Sequence, residues 1–209
     1  RADQWRAFDG GIAKAFSNRR VDDRYASRSD NSVSPKLSAI RQLTDRIDLQ
    51  VSLGQATRFP TVGELYQGRF DDITQAIDRQ SFDPNLKAEK SDDLNVMLRY
   101  RGPSVRTTAS VFLQDIDDAI FSFSGLNQFG TVISGYKNVD RVRQYGMELI
   151  FEATDFLVED LNLDANVAWT SAETLRNTPD PRAEGKQFPR IPEWRSNGNL
   201  RYRLMDPVK

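Results

Sequence analysis

Apolar and polar side chains alternate with a period of two over much of this chain. Between 93 and 101, Leu94, Val96, Leu98 and Tyr100 share one face, and Asp93, Asn95, Arg99 and Arg101 share the other. Met97 is the one apolar residue on that second face. Ile47, Leu49, Val51 and Leu53 alternate in the same way with Asp48, Gln50 and Ser52. Leu161, Leu163, Ala165, Val167 and Trp169 alternate with Asn162, Asp164, Asn166 and Ala168. Gly198, Leu200, Tyr202 and Leu204 oppose Asn197, Asn199, Arg201 and Arg203. Helical spacing fits none of these stretches. The alternation predicts about eight strands, roughly over 4–16, 33–43, 46–57, 90–101, 105–122, 131–153, 160–172 and 194–205.

The connections between them take turns in length. Thr44-Asp45, Gly102-Pro103-Ser104 and 154–159 are short, whereas 17–32, 58–89, 123–130 and 173–193 are long. Short turns at one end and long loops at the other are the layout of an outer-membrane barrel. Two of the strands also far exceed the usual five or six residues of globular proteins. About ten tilted residues cross a bilayer, so these strands are expected to project above it. The second face is dense in Arg, Asp, Asn, Gln and Glu, which suits a polar lumen with the apolar face turned to lipid. The expected fold is therefore all-β: an antiparallel up-and-down transmembrane β-barrel, of which residues 1–209 form a part.

Composition removes several functions. With 29 Lys+Arg against 30 Asp+Glu, the net charge of −1 offers no basic excess to neutralise phosphates, so nucleic acid is not expected as a partner. No apolar run approaches the roughly 20 residues of a spanning helix. The chain has no Cys and no His. Disulfides, thiol catalysis, Ser-His-Asp triads and imidazole-bound zinc are thus impossible within it. It opens on Arg1-Ala2-Asp3 without a visible signal peptide and reads as an excised or mature segment.

Five short segments then form an ordered set. They are 56–66, Ala-Thr-Arg-Phe-Pro-Thr-Val-Gly-Glu-Leu-Tyr; 83–91, Asp-Pro-Asn-Leu-Lys-Ala-Glu-Lys-Ser; 112–120, Phe-Leu-Gln-Asp-Ile-Asp-Asp-Ala-Ile; 138–148, Asn-Val-Asp-Arg-Val-Arg-Gln-Tyr-Gly-Met-Glu; and 185–195, Gly-Lys-Gln-Phe-Pro-Arg-Ile-Pro-Glu-Trp-Arg. Each has a local physical reading. Pro60 ends a strand because it lacks an N–H for the ladder. Pro84 and Asn85 signal a turn, and Gly146 marks a bulge or a close backbone approach. Taken together and in order, the set resembles the TonB-dependent outer-membrane receptors. The resemblance implies a 22-stranded barrel with a plugged lumen, so the chain is expected to be the C-terminal part of that barrel, without the plug domain and the final strands.

What the resemblance implies functionally is a receptor and transporter for TonB-energised uptake of a scarce nutrient, foremost an iron-siderophore complex. TonB is the expected partner, through the plug, with a ferric siderophore as small-molecule ligand and outer-membrane lipid around the wall. The location implied is the outer membrane of a Gram-negative bacterium. No catalytic residue, cofactor or metal site is expected. Candidate ligand contacts come from the long loop 58–89: Arg58, Tyr66, Gln67, Arg69 and Phe70. Arg and aromatic side chains suit an anionic, partly aromatic chelate through charge-assisted bonds and stacking. Asp115, Asp117 and Asp118 cluster in sequence but lack calcium-loop spacing. Trp169 and Trp194 are expected near an interfacial belt. Two other readings remain: a soluble β-rich carbohydrate-binding module, and an outer-membrane barrel enzyme.

Overall fold

A computed structural model describes residues 1–71, 74–126 and 130–203. The expected strand end at 204–205 and parts of the expected loops, 72–73 and 127–129, lie outside the described residues. Seven strands make the main sheet: β5 (Lys36–Thr44), β6 (Ile47–Arg58), β9 (Glu89–Arg101), β10 (Val105–Leu126), β11 (Val132–Ala153), β12 (Leu161–Arg176) and β13 (Trp194–Tyr202). They pair antiparallel in chain order from β5 to β13, each with its sequence neighbour within the sheet. The sheet is open, and β5 and β13 are its two edges. This is the wall of an up-and-down barrel rather than a closed barrel.

The rest of the chain departs from the expected layout. The stretch 4–16 is not one strand: it breaks at Phe8–Gly10, where Asp9 turns left-handed (φ 52), into β1 (Ala2–Ala7) and β2 (Gly11–Ala15). These pair with β4 (Arg28–Val33) and β3 (Arg20–Arg24), which lie in the expected loop 17–32 apart from Val33, the first residue of the next expected strand. Alternation marks a strand but names no partner, so this bent ribbon was not separable from the wall. The loop 58–89 holds a short helix, α1 (Val62–Tyr66), and a small hairpin of β7 (Arg69–Asp71) and β8 (Ala76–Asp78). Strand β10 runs further than expected, to Leu126, while β11 starts at Val132, within one residue of its expected start, so residues 123–126 of the expected loop 123–130 are strand at the top of a long hairpin.

Register decides what the two faces carry. Leu37, Leu53, Leu94, Leu113 and Tyr145 lie in one cross-strand row. Ala39, Val51, Val96, Val111, Met147, Trp169 and Trp194 form the next. Leu49, Leu98, Ala109, Leu149 and Val167 form a third. Leu49, Val51, Leu94, Val96 and Leu98 therefore share one face, as the alternation requires. Trp169 and Trp194 sit directly opposite each other on it. The other face carries Gln50, Asn95, Arg99, Glu148 and Asn166, with ion pairs Arg101–Asp48 and Arg201–Asp164 towards the short-turn end. Gly146 lies where β11 meets β12 most closely: a Cβ there would sit 2.2 Å from the Trp169 carbonyl oxygen.

Burial runs opposite to that of a water-soluble core. Leu53 and Val111, in the middle of the apolar face, are 51% and 53% exposed, whereas Leu65 and Leu86 in the loops are 0% exposed. The chain exposes 14348 Å², against about 10,000 Å² for a folded monomer of this length. An apolar face left uncovered by protein is what a lipid-facing wall requires. Arg41 is the exception on β5, opposite Leu49. It lies three positions from the strand end at Thr44, within reach of the aqueous boundary for a long cationic side chain.

The two faces should differ sharply in tolerance of charge. In a full-length receptor in lipid vesicles, Val111→Arg is expected to destabilise the wall by about 2–4 kcal/mol, read by urea unfolding with heat-modifiable gel migration. Asn95→Arg on the opposite face should cost much less. Equal costs would remove the distinction between the faces.

Candidate ligand-binding face

At the long-loop end, the chain builds a second layer on top of the wall. Pro60 stops β6, and Thr61 then caps α1. Its hydroxyl accepts from the Glu64 N–H at 3.3 Å, while the Glu64 carboxylate accepts from the Thr61 N–H at 2.8 Å. This reciprocal capping box meets two donors that a helix start leaves open. It also aims Leu65 inward, where it is buried with Leu86 and Ala7 and packed by Trp5, Tyr66, Ile120 and Tyr136.

Arg58 ties this layer to the wall. Its guanidinium donates to both Glu64 oxygens at 2.9 and 3.2 Å, pairs with Glu89 at 3.5 Å and donates to the Ile120 carbonyl at 3.4 Å. Glu89 in turn accepts from the Ile120 N–H at 2.8 Å. Burial pushes the Glu64 carboxyl up, but the Thr61 N–H, the Arg58 guanidinium and the Thr61 hydroxyl together hold it below its ordinary value.

Other contacts interlock the loops. Arg28 donates to the Pro84 and Leu86 carbonyls at 2.7 and 3.0 Å and lies over the Trp5 ring. The Asn138 side-chain oxygen accepts from the Lys87 N–H at 2.9 Å, and its amide nitrogen donates to the Asp118 carbonyl at 2.7 Å. Gly135 passes so close to loop 58–89 that a Cβ would come within 2.0 Å of the Ser81 carbonyl oxygen. Tyr25 stacks on Tyr66 at 5.4 Å, which joins the β2–β3 ribbon to α1.

The five candidate contacts are spread over this layer. Arg58 is the clamp just described. Tyr66 is half-buried in its stack with Tyr25, and Gln67 is the exposed C-cap of α1. Arg69 is exposed and donates to the Val132 carbonyl at 2.6 Å. Phe70 meets Phe16 edge-on at 6.1 Å. None of the five lines a crevice of about 900 Å³ at this end, between loop 58–89 and the tall β10–β11 hairpin. That crevice is lined by Arg79, Phe82, Lys87, Phe123, Tyr136 and Lys137 among others. Lys87 pairs with Asp118 at 2.9 Å, which raises its pKa. Lys137 sits over the Phe123 ring at 4.2 Å. The sequence offered a clue to one of these residues: 137 falls on an expected strand, 131–153, tall enough to rise above a bilayer, whereas 123 falls in the expected loop 123–130.

The acidic cluster is taken up by cations. Asp115 pairs with Arg143 at 2.7 Å and Arg141 at 2.9 Å, Asp117 lies 3.9 Å from Arg141, and Asp118 holds Lys87. Among the described residues, no group of three or more Asp, Glu, His or Cys side chains is arranged to hold a metal ion.

Comparison with known proteins adds family and fold. The family model described as TonB dependent receptor-like, beta-barrel matches residues 1–207. Among solved structures, the copper transporter OprC is 23% identical over 86% of this chain and 25% of its own, with a TM-score of 0.66. The ferric yersiniabactin uptake receptor FyuA from Yersinia pestis is 17% identical over 91% of this chain and 26% of its own, at 0.62. The ferric-catecholate import receptor Fiu from E. coli K12 is 16% identical over 90% and 25%, at 0.63. The chain thus spans about a quarter of the length of these structures. A comparison with curated proteins gave no match.

The Glu64 clamp generates a pH dependence. A carboxyl whose folded pKa is lowered stabilises the fold fully above its unfolded value, and the contribution is lost as pH falls through the folded one. Hydrogen-exchange protection of amides 62–66 should therefore drop as pH falls below the ordinary carboxylate value of 4.5. Glu64→Gln should lower protection at neutral pH and flatten the dependence. Unchanged protection in that variant would show that the clamp contributes nothing.

Proposed function

The chain belongs to the TonB-dependent receptor β-barrel family through the match over residues 1–207, and from that premise we propose that it is part of the wall of an outer-membrane importer for a scarce nutrient, foremost an iron-siderophore complex. The family is one of transport receptors found in the outer membrane of Gram-negative bacteria, and neither the carbohydrate-binding module nor the barrel enzyme gains support from the match. Uptake would be energised by TonB acting through a plug domain, with outer-membrane lipid around the apolar face.

The observation that carries the ligand reading is the interlocked layer on the long-loop end. Binding at a preorganised surface pays less ordering cost than binding at a mobile loop. Here Arg58 and Asn138 fix loop 58–89 to the wall, and Arg28 ties it to the β1–β4 ribbon, before any ligand arrives. Exposed Arg69 and Gln67 and the nearby aromatic rings present charge-assisted donors and stacking faces on that rigid layer. Such chemistry favours an anionic chelate over a bare soft cation. Of the soft and imidazole ligands that suit copper, the cargo named for OprC, the chain has no His or Cys and three Met. FyuA and Fiu, named for ferric yersiniabactin and ferric catecholates, support the chelate reading.

The test is ligand affinity of a purified full-length receptor. An Arg making a charge-assisted bond contributes on the order of 1.5–3 kcal/mol, so Arg69→Ala should weaken binding about ten- to a hundredfold. Deletion of 66–82 should weaken it further while heat-modifiable migration shows the barrel intact. Arg58→Ala is a poorer probe because it also opens the clamp. Unchanged affinity in the deletion, with the barrel folded, would place recognition in other loops or on the plug.

A further inference from the structure

The three turns at the opposite end differ in kind. Asp45-Arg46 and Gly102-Pro103-Ser104 are polar or small, but the turn after β11 reads Thr154-Asp155-Phe156-Leu157-Val158-Glu159-Asp160. Leu157 is 85% exposed and Val158 53%. Leu157 also stands in the left-handed region, at φ 68, which an L-residue with a side chain adopts at a cost. The turn nonetheless has a fixed shape. The Phe156 N–H donates to the Leu161 carbonyl at 2.6 Å, the Leu161 N–H to the Val158 carbonyl at 3.3 Å, and the Asp160 N–H to the Asp155 carboxylate at 2.8 Å.

Its direction is set by Phe156. That ring meets Phe151 edge-on at 6.2 Å, and Phe151 lies on the apolar outer face, two positions beyond Leu149. Ala153, the next outward position, is buried at 4% where Leu149 is 44% exposed. The turn therefore folds against the outer face rather than the lumen, and it lengthens the apolar belt downward. A pair of exposed aliphatic side chains held at the end of a lipid-facing belt has one neighbour of matching chemistry, the headgroup–acyl boundary of the leaflet below.

We propose that Phe156, Leu157 and Val158 form a membrane-anchoring tip seated in that boundary, where it fixes the height of the wall in the bilayer. The tip rests on the reading of this sheet as a membrane-spanning wall. Glu159 and Asp160 flank it with negative charge, which suits a zwitterionic, amine-bearing phospholipid such as phosphatidylethanolamine and disfavours an anionic surface. The segment thus joins a hydrophobic insertion to a matched headgroup at one turn of the three.

The chain has no Cys, so in a full-length receptor whose cysteines outside it are replaced by Ser, Leu157→Cys offers a single labelling site for a nitroxide after reconstitution into phosphatidylethanolamine-containing vesicles. Heat-modifiable migration confirms folding, and Ser104→Cys and Val111→Cys serve as turn and belt references. The expected result is an oxygen-to-nickel-complex accessibility ratio at 157 several-fold above that at 104 and below that at 111. A ratio at 157 equal to that at 104 places the tip in water and overturns the proposal. A label screened from both reagents lies against protein and overturns it too. If 111 itself reads as aqueous, the membrane-wall reading fails, and the anchor fails with it.

Discussion

Backbone N–H and C=O groups that face hydrocarbon must bond to one another, because no water is present to receive them. In a sheet this forces each strand to accept its neighbour's register along its whole length in the membrane. Seven strands here do so, and the consequence is parity: once Leu53 pairs with Leu94, and Leu94 with Leu113, every second residue on each strand is committed to the same face. The apolar belt, the polar lumen side and the outward direction of the turn at 154–160 follow from that commitment. A shift by one residue on a single strand would carry its leucines into the lumen and its arginines into lipid.

Above the belt the rule relaxes, and side chains take over from lipid. The tops of β10 and β11 no longer need an apolar outer row, and ion pairs such as Asp115–Arg143 appear in its place. Among the described residues, the buried apolar clusters lie here, around Leu65 with Leu86 and around Ile116 with Val142. Arg58 joins the two regimes: it is the last residue of β6 and the clamp of the loop layer. The molecule thus has a lower half whose apolar face protein leaves uncovered, proposed to be completed by lipid, and an upper half that carries its own core.

How much of this was legible depended on what surrounds each residue. Leu94, Val96 and Leu98 announce their strand and face because they form an unbroken alternating apolar row, as a lipid-facing wall would require. The ribbon at 1–33 carries similar alternation, but its break at Asp9 is a local backbone event and its partners at 20–33 are polar, so sequence spacing did not reveal the pairing. The short helix at Val62–Tyr66 was hidden by its length, though Thr61 and Glu64 are a readable capping signal. Among candidate site residues, type alone suggested Arg58 as a ligand contact, while its two carboxylate partners, one of them 31 positions away in sequence, show a clamp. Lys87, Lys137 and Phe123 meet across a crevice that no local pattern encodes.

The central claim, that one face of this sheet lies in lipid, is tested most directly by photolabelling a full-length receptor with a diazirine carried on a phospholipid acyl chain. Adducts mapped by mass spectrometry along β9 should fall on Leu94, Val96, Leu98 and Tyr100 and skip Asp93, Asn95, Met97 and Arg99. The decisive residue is Met97, apolar but on the opposite face. Labelling of Met97 at the level of Val96, or adducts on successive residues, would contradict the account.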